Sequence, residues 1–238
     1  MKKTMVVVVF LVAGLLAAAR TASAAKNYIS GDIGIGWMNN ITDTYSTSTY
    51  GLPMFFQTTN NNRLAFADSG LTLYGAIGSD CGSYRMEGEV GYQRTNVKNI
   101  TKGISSAGSF LPSSTVTDLE GNVSVISILA NGYYDVHGGA LDPYITAGVG
   151  CASISFNDIN APASNLQYSG SSSNAQAASL AYQIGAGFAV PLSKTIKLDA
   201  RYRYFATGKV GSIATSQVTL KDFSIISNSI VLGLRVGI

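Results

Sequence analysis

The chain has 238 residues, of which 12% are charged, well below the roughly 25% of ordinary soluble domains, and 46% are apolar. That apolar content excludes disorder through poor hydrophobicity, and the length suits one β-domain. The formal charge of +3 is carried by a leader segment: removing Lys2, Lys3 and Arg20 leaves 13 basic residues against 13 acidic ones, with no basic patch of the kind nucleic acid requires.

In chain order, Lys2 and Lys3 precede an uncharged, almost wholly apolar run from Val6 to Ala19, and Ala22-Ser23-Ala24 fits the small-x-small cleavage rule. Residues 1–24 therefore read as a secretory signal peptide, with residues 25–238 as one mature domain. No later stretch reaches 18 consecutive apolar residues, so no internal transmembrane helix is expected. Eight segments instead show strand patterning: 28–38, 69–78, 83–94, 122–135, 143–156, 177–190, 196–206 and 223–237. The connections at 79–82, 136–142 and 191–195 are short, whereas those at 39–68, 95–121, 157–176 and 207–222 are long and rich in Ser, Thr, Asn and Gly. This alternation puts every short turn at one end of an up-and-down meander and every long loop at the other, as in outer-membrane barrels. The strand map places Cys81 in a turn and Cys151 about 25 Å away along the axis, too far for a disulfide, so both thiols are expected to be free.

The strands are two-faced. In 196–205, Ile196, Leu198, Ala200, Tyr202 and Tyr204 alternate with Lys197, Asp199, Arg201, Arg203 and Phe205. In 84–93, Tyr84, Met86, Gly88, Val90 and Tyr92 alternate with Arg85, Glu87, Glu89, Gly91 and Gln93. A soluble barrel would turn the apolar face inward; a membrane barrel turns it to lipid and fills its lumen with the polar set. The second arrangement is favoured by three features. Glycines 34, 36, 91, 185, 187 and 233 share the polar face, where a crowded lumen needs them. The aromatic residues Trp37, Tyr84, Tyr92, Tyr134 and Tyr204 sit near the ends of the apolar face, as interfacial girdles require. The signal peptide delivers the chain beyond the inner membrane. The expected architecture is an all-β, eight-stranded antiparallel up-and-down transmembrane barrel, closed because unpaired backbone in hydrocarbon costs several kcal/mol per group.

Turned inward, the ionised side chains are Arg85, Lys197, Arg201, Arg203 and Arg235 against Asp32, Glu87, Glu89, Asp135 and Asp199. Selectivity rings usually carry one sign. A balanced set suggests a self-paired network that blocks the lumen, with Glu87 and Glu89 reaching Arg201 and Arg203, and Arg235 beside Asp199. The alternative is separately hydrated charges around a thin water column.

No catalytic, cofactor-binding or metal constellation emerges. "GFAVPLSKT" (187–195) ends like a phosphate-binding loop but lacks its second glycine and carries Pro191, so it reads as a hairpin turn. The sole histidine, His137, falls in the short turn "DVHGGALD" with no Ser or Cys partner, which argues against an enzyme.

Several stretches carry a resemblance: "RMEGEVGYQRTNV" (85–97), "NGYYDV" (131–136), "DPYITAGVG" (142–150), "AYQIGAGFAVPLSKTIKLDARYRYF" (181–205) and the ending "SIVLGLRVGI". The chain resembles the small outer-membrane β-barrel superfamily of opacity-type adhesins, surface antigens and OmpA-like eight-stranded barrels of Gram-negative bacteria. The resemblance implies a narrow interior, variable surface loops, and adhesin, antigen or structural roles. It also implies outer-membrane lipid, the β-barrel assembly machinery and a ligand on a host or neighbouring cell as partners. Barrels of this type commonly end in Phe; this chain ends in Ile238. A surface-interaction role through four external loops is the first expectation. A narrow passive channel is the second, and a soluble lipocalin-like binder with its faces reversed is the third.

Overall fold

A computed structural model describes residues 26–51, 54–66, 69–106, 109–117, 120–137, 139, 141–160, 175–211, 213–214, 219–220 and 223–238. The expected leader, residues 1–24, and Ala25 lie outside them.

The strands are β1 (Lys26–Met38), β2 (Ile41–Gly51), β3 (Met54–Phe66), β4 (Gly70–Asp80), β5 (Tyr84–Ser106), β6 (Ser109–Thr117) and β7 (Glu120–Asp135). They continue with β8 (Asp142–Asn160), β9 (Ala175–Pro191), β10 (Ile196–Thr207), β11 (Ile213–Ala214), β12 (Thr219–Leu220) and β13 (Ile226–Gly237). Eight of them form the barrel. The antiparallel ring runs β1–β4–β5–β7–β8–β9–β10–β13 and returns to β1 through a ladder from Tyr28↔Gly237 to Met38↔Ser227. Closure leaves no free edge in the ring, which is what a sheet in hydrocarbon requires.

All eight predicted strands are present, and the largest extensions beyond the sequence pattern are in β5, β8 and β9. Strand β5 has 23 residues, β8 has 19 and β9 has 17. The long connection 39–68 holds the β2–β3 hairpin. The continuation of β5 past the ring pairs with β3 on one side and with β6 on the other. The same strand is thus barrel wall over its first half and the spine of an outer sheet over its second.

The short turns are tight. Between β4 and β5, Cys81 N–H donates to the Tyr84 carbonyl (2.9 Å), and Gly82 takes φ 89°, a left-handed conformation that suits glycine. Cys81 and Cys151 are both free thiols.

Side-chain exposure divides the barrel by height. In the half nearest the short turns, Ile33, Ile35, Val90, Ile145, Val149, Leu180, Ile184 and Leu232 point out and are exposed, forming an apolar belt. Tyr84 and Tyr134 flank it at the turn side, their ring centroids 5.3 Å apart. Further out, the outward positions become polar: Arg94, Asn96 and Lys98 follow Tyr92 on β5, and Ser153 and Ser155 follow Val149 on β8. At that same height the inward positions become apolar. Val97, Val123, Val125, Ile154, Phe156, Phe205, Phe223 and Ile225 fill the outer half of the barrel as a packed core, joined by Met38, Ile41, Leu64 and Phe66.

Candidate functional site: the charged lumen

Below the apolar core, inward positions carry large polar side chains from every strand. Room for them comes from cross-strand pairing with glycine. Asp32 lies opposite Gly233, Tyr28 opposite Gly78, and Tyr144 opposite Gly187. A Cβ at Gly233 would collide with the Asp32 carboxylate, one at Gly78 would lie 2.5 Å from the Tyr28 hydroxyl, and one at Gly187 would lie 2.8 Å from that of Tyr144. Packing of this density forbids even one added methyl.

Nine of the ten charges named from the sequence face inward in tiers, and the tenth, Lys197, reaches the rim. Nearest the short turns, Arg85 meets Asp135 in a two-pronged pair, Nε to Oδ2 at 2.6 Å and Nη2 to Oδ1 at 2.9 Å. Its guanidinium lies 4.1 Å from the ring centre of Tyr133 and 5.0 Å from that of Tyr144. Arg235 forks onto Asp199, with Nη2 to Oδ1 at 2.9 Å and Nε to Oδ2 at 3.2 Å. In the next tier Arg201 Nη2 reaches Asp32 Oδ2 at 3.0 Å and Glu89 Oε2 at 3.5 Å, and Nη1 donates to the Tyr133 hydroxyl at 2.6 Å. Arg203 Nη1 donates to Glu89 Oε1 at 2.6 Å, and Asn131 Nδ2 donates to Glu89 Oε2 at 3.1 Å.

Two of the ten sit differently from the pairing inferred from charge alone. Glu87 accepts from the hydroxyls of Tyr28 and Tyr133, both at 2.9 Å, so Tyr133 links it to Arg201. Lys197 points to the turn-side rim, where its Nζ donates to Asp142 Oδ2 at 2.9 Å. Asp142 lies outside the apolar belt. The hydrogen bond from Lys197, supported by the charges of Lys197 and nearby His137, holds its carboxyl below the usual aspartate range. His137 anchors the same rim, its Nε2 3.0 Å from the Gly82 carbonyl oxygen.

Sequence reasoning left out the neutral members Tyr28, Tyr74, Tyr133, Tyr144, Asn131 and Gln183, and the charged Asp142 at the rim. Strand parity held the signal. Tyr28 shares a face with Asp32, and Asn131 and Tyr133 share one with Asp135. Chemically, the assembly is a set of buried, mutually compensated ion pairs; among the described residues no group of three His, Cys, Asp or Glu side chains could hold a metal ion.

The model of the surface antigen family matches residues 35–222, most of the chain, from the end of β1 to beyond β10. The chain belongs to that family. It is an outer-membrane β-barrel. Outer membrane protein PagN of Salmonella typhimurium is 33% identical over 97 residues, a stretch that covers 39% of this chain and 38% of PagN. The match thus spans about two-fifths of the length of that relative. The crystal structure of Neisserial surface protein A shares the fold, with a TM-score of 0.50 and 18% identity over 91% of this chain and 100% of that one.

Proposed function

We propose that this protein is a surface-interaction barrel of adhesin or antigen type, exported by a cleaved leader of residues 1–24 and engaging a ligand on a host or neighbouring cell through its long-loop end. One observation carries the reading: β5 continues past the barrel ring and binds both the β2–β3 hairpin and β6, so that the described parts of the connections 39–68 and 95–121 are largely sheet, rooted at a packed apolar core. Such a platform fixes the geometry of what it displays, and a preorganised display lowers the entropy lost on binding. The charged lumen serves the scaffold in this reading. Its ion pairs are compensated within the barrel wall and lie away from the display end. Lipid contacts the apolar belt, and the β-barrel assembly machinery inserts the chain.

Catalysis has no place in this account: His137 lies at the short-turn rim, bonded to a backbone carbonyl, far from the display end.

The test is a cell-binding assay with a chain in which residues 41–66 are replaced by a short turn. Binding to host cells or to neighbouring bacteria should fall to background while heat-modifiable electrophoretic mobility, the mark of a closed barrel, persists. Unchanged binding by a folded variant contradicts the proposal.

A further inference from the structure

Between the ion pairs and the apolar core lies a patch of buried polar groups whose hydrogen-bonding capacity the protein does not meet. Thr72 Oγ1 and the Tyr74 hydroxyl on β4, Gln93 Nε2 and Thr95 Oγ1 on β5, and Ser127 Oγ on β7 have no hydrogen-bond partner among the described residues. These strands are consecutive in the ring, and the residues are neighbours: Thr72 pairs with Gln93, and Gly91 pairs with both Tyr74 and Ser127. Facing them is Arg203, wholly buried, its guanidinium 4.3 Å from the Tyr74 ring centre. Its Nη1 is held by Glu89, but Nε and Nη2 have no hydrogen-bond partner among the described residues. Thr72, Gln93, Thr95 and Ser127 are also almost entirely buried.

A buried donor or acceptor left unmet loses its hydration without compensation, and the loss is larger for a charged group. Native interiors meet them with ordered water when nothing else is available.

We propose that the barrel encloses a sealed water site between its charged tier and its outer apolar core, bounded by Thr72, Tyr74, Gln93, Thr95, Ser127 and Arg203. Two features select water over an anion. Arg203 is already neutralised by Glu89, so an anion would add an uncompensated buried charge. Gln183 Oε1, on the strand next to that of Arg203, is a buried acceptor with no partner among the described residues. Water both donates and accepts, whereas an inorganic anion only accepts. The site is sealed on its outer side by Val97, Val125, Phe156, Phe205 and Ile225, all almost completely buried. The water is therefore structural and does not form part of a through-path. The inference is independent of any surface ligand.

Three measurements on the wild-type protein test it. A crystal structure at atomic resolution should show water oxygens within hydrogen-bond distance of Arg203 Nε or Nη2 and of the Tyr74 hydroxyl. A guanidinium edge bonded directly to protein acceptors, or packed dry, overturns the proposal. Bromide soaking should give no anomalous peak at Arg203; a peak there identifies an anion site instead. In planar bilayers the reconstituted barrel should stay electrically silent, and steady single-channel openings would show that the water is not sealed.

Discussion

The two halves of this barrel are built on opposite rules from the same eight strands. Near the short turns, apolar side chains such as Ile33 and Ile145 face out, and Glu89, Arg201 and Arg203 face in. Near the long connections, Asn96 and Ser153 face out, and Val97, Ile154 and Phe156 face in. The backbone alternation continues across the boundary; the solvent reverses. In lipid, the outside is the apolar phase, so polar groups are placed within, where partners compensate them. Beyond the lipid, water returns to the outside, and the interior becomes an ordinary hydrophobic core. The comparison separates two sources of stability, one resting on charge compensation and the other on apolar burial.

The largest expected effect falls on the charged half. Glu89→Ala leaves Arg203 buried beside an empty carboxylate position and should cost about 3–5 kcal/mol. Replacing both partners by Glu89→Gln with Arg203→Met should cost much less. Urea unfolding followed by heat-modifiable mobility reads both, and equal losses would break the compensation argument. In the outer half, Ile154→Ala removes apolar volume and opens a cavity, for about 2–5 kcal/mol in the same assay. That loss should be insensitive to salt and pH.

The outward faces give the next contrast. Ile33→Arg places a charge near the middle of the apolar belt and should cost about 2–4 kcal/mol, while Asn96→Arg on the outer half should stay within about 0.5 kcal/mol. Comparable penalties would mean that the belt extends to Asn96. The smallest effect is at the turn-side rim. The Asp142 carboxyl is held low by Lys197, so the stability it contributes is present above its unfolded pKa of about 3.9 and is lost as pH falls through its lower folded value. Asp142→Asn should remove that acid-side loss and leave stability between pH 6 and pH 8 nearly flat, as roughly measured by thermal mobility shift.

Much of the belt half was legible in the sequence, because a period of two with charges on one side leaves only two arrangements, and the glycines on the charged face choose between them. What three of the glycines do became clear only with the register: Gly91, Gly187 and Gly233 admit the Tyr74, Tyr144 and Asp32 side chains directly across the ladder. The outer half was harder to read. On β8 the apolar residues run at Ile145, Ala147 and Val149, then change phase to Ile154 and Phe156. In a bare sequence such a change of phase looks like the end of a strand or a bulge. The reversal of solvent that explains it is a property of the assembled barrel. The β2–β3 hairpin escaped notice for a related reason. "ITDTYSTSTYG" offers no apolar alternation, and its pairing depends on β5 extending far enough to receive β3.

The central claim, a single reversal of polarity partway up the wall, is tested most directly by spin labels placed one at a time along β8 from Ile145 to Phe156, with Cys81 and Cys151 replaced by Ser. Labels at Ile145, Ala147 and Val149 should collide preferentially with oxygen dissolved in lipid. Labels at Ser153 and Ser155 should collide with a water-soluble paramagnet, and those at Ile154 and Phe156 with neither. A lipid signature continuing through Ser153 and Ser155, or free access to Ile154 from either phase, would contradict the account.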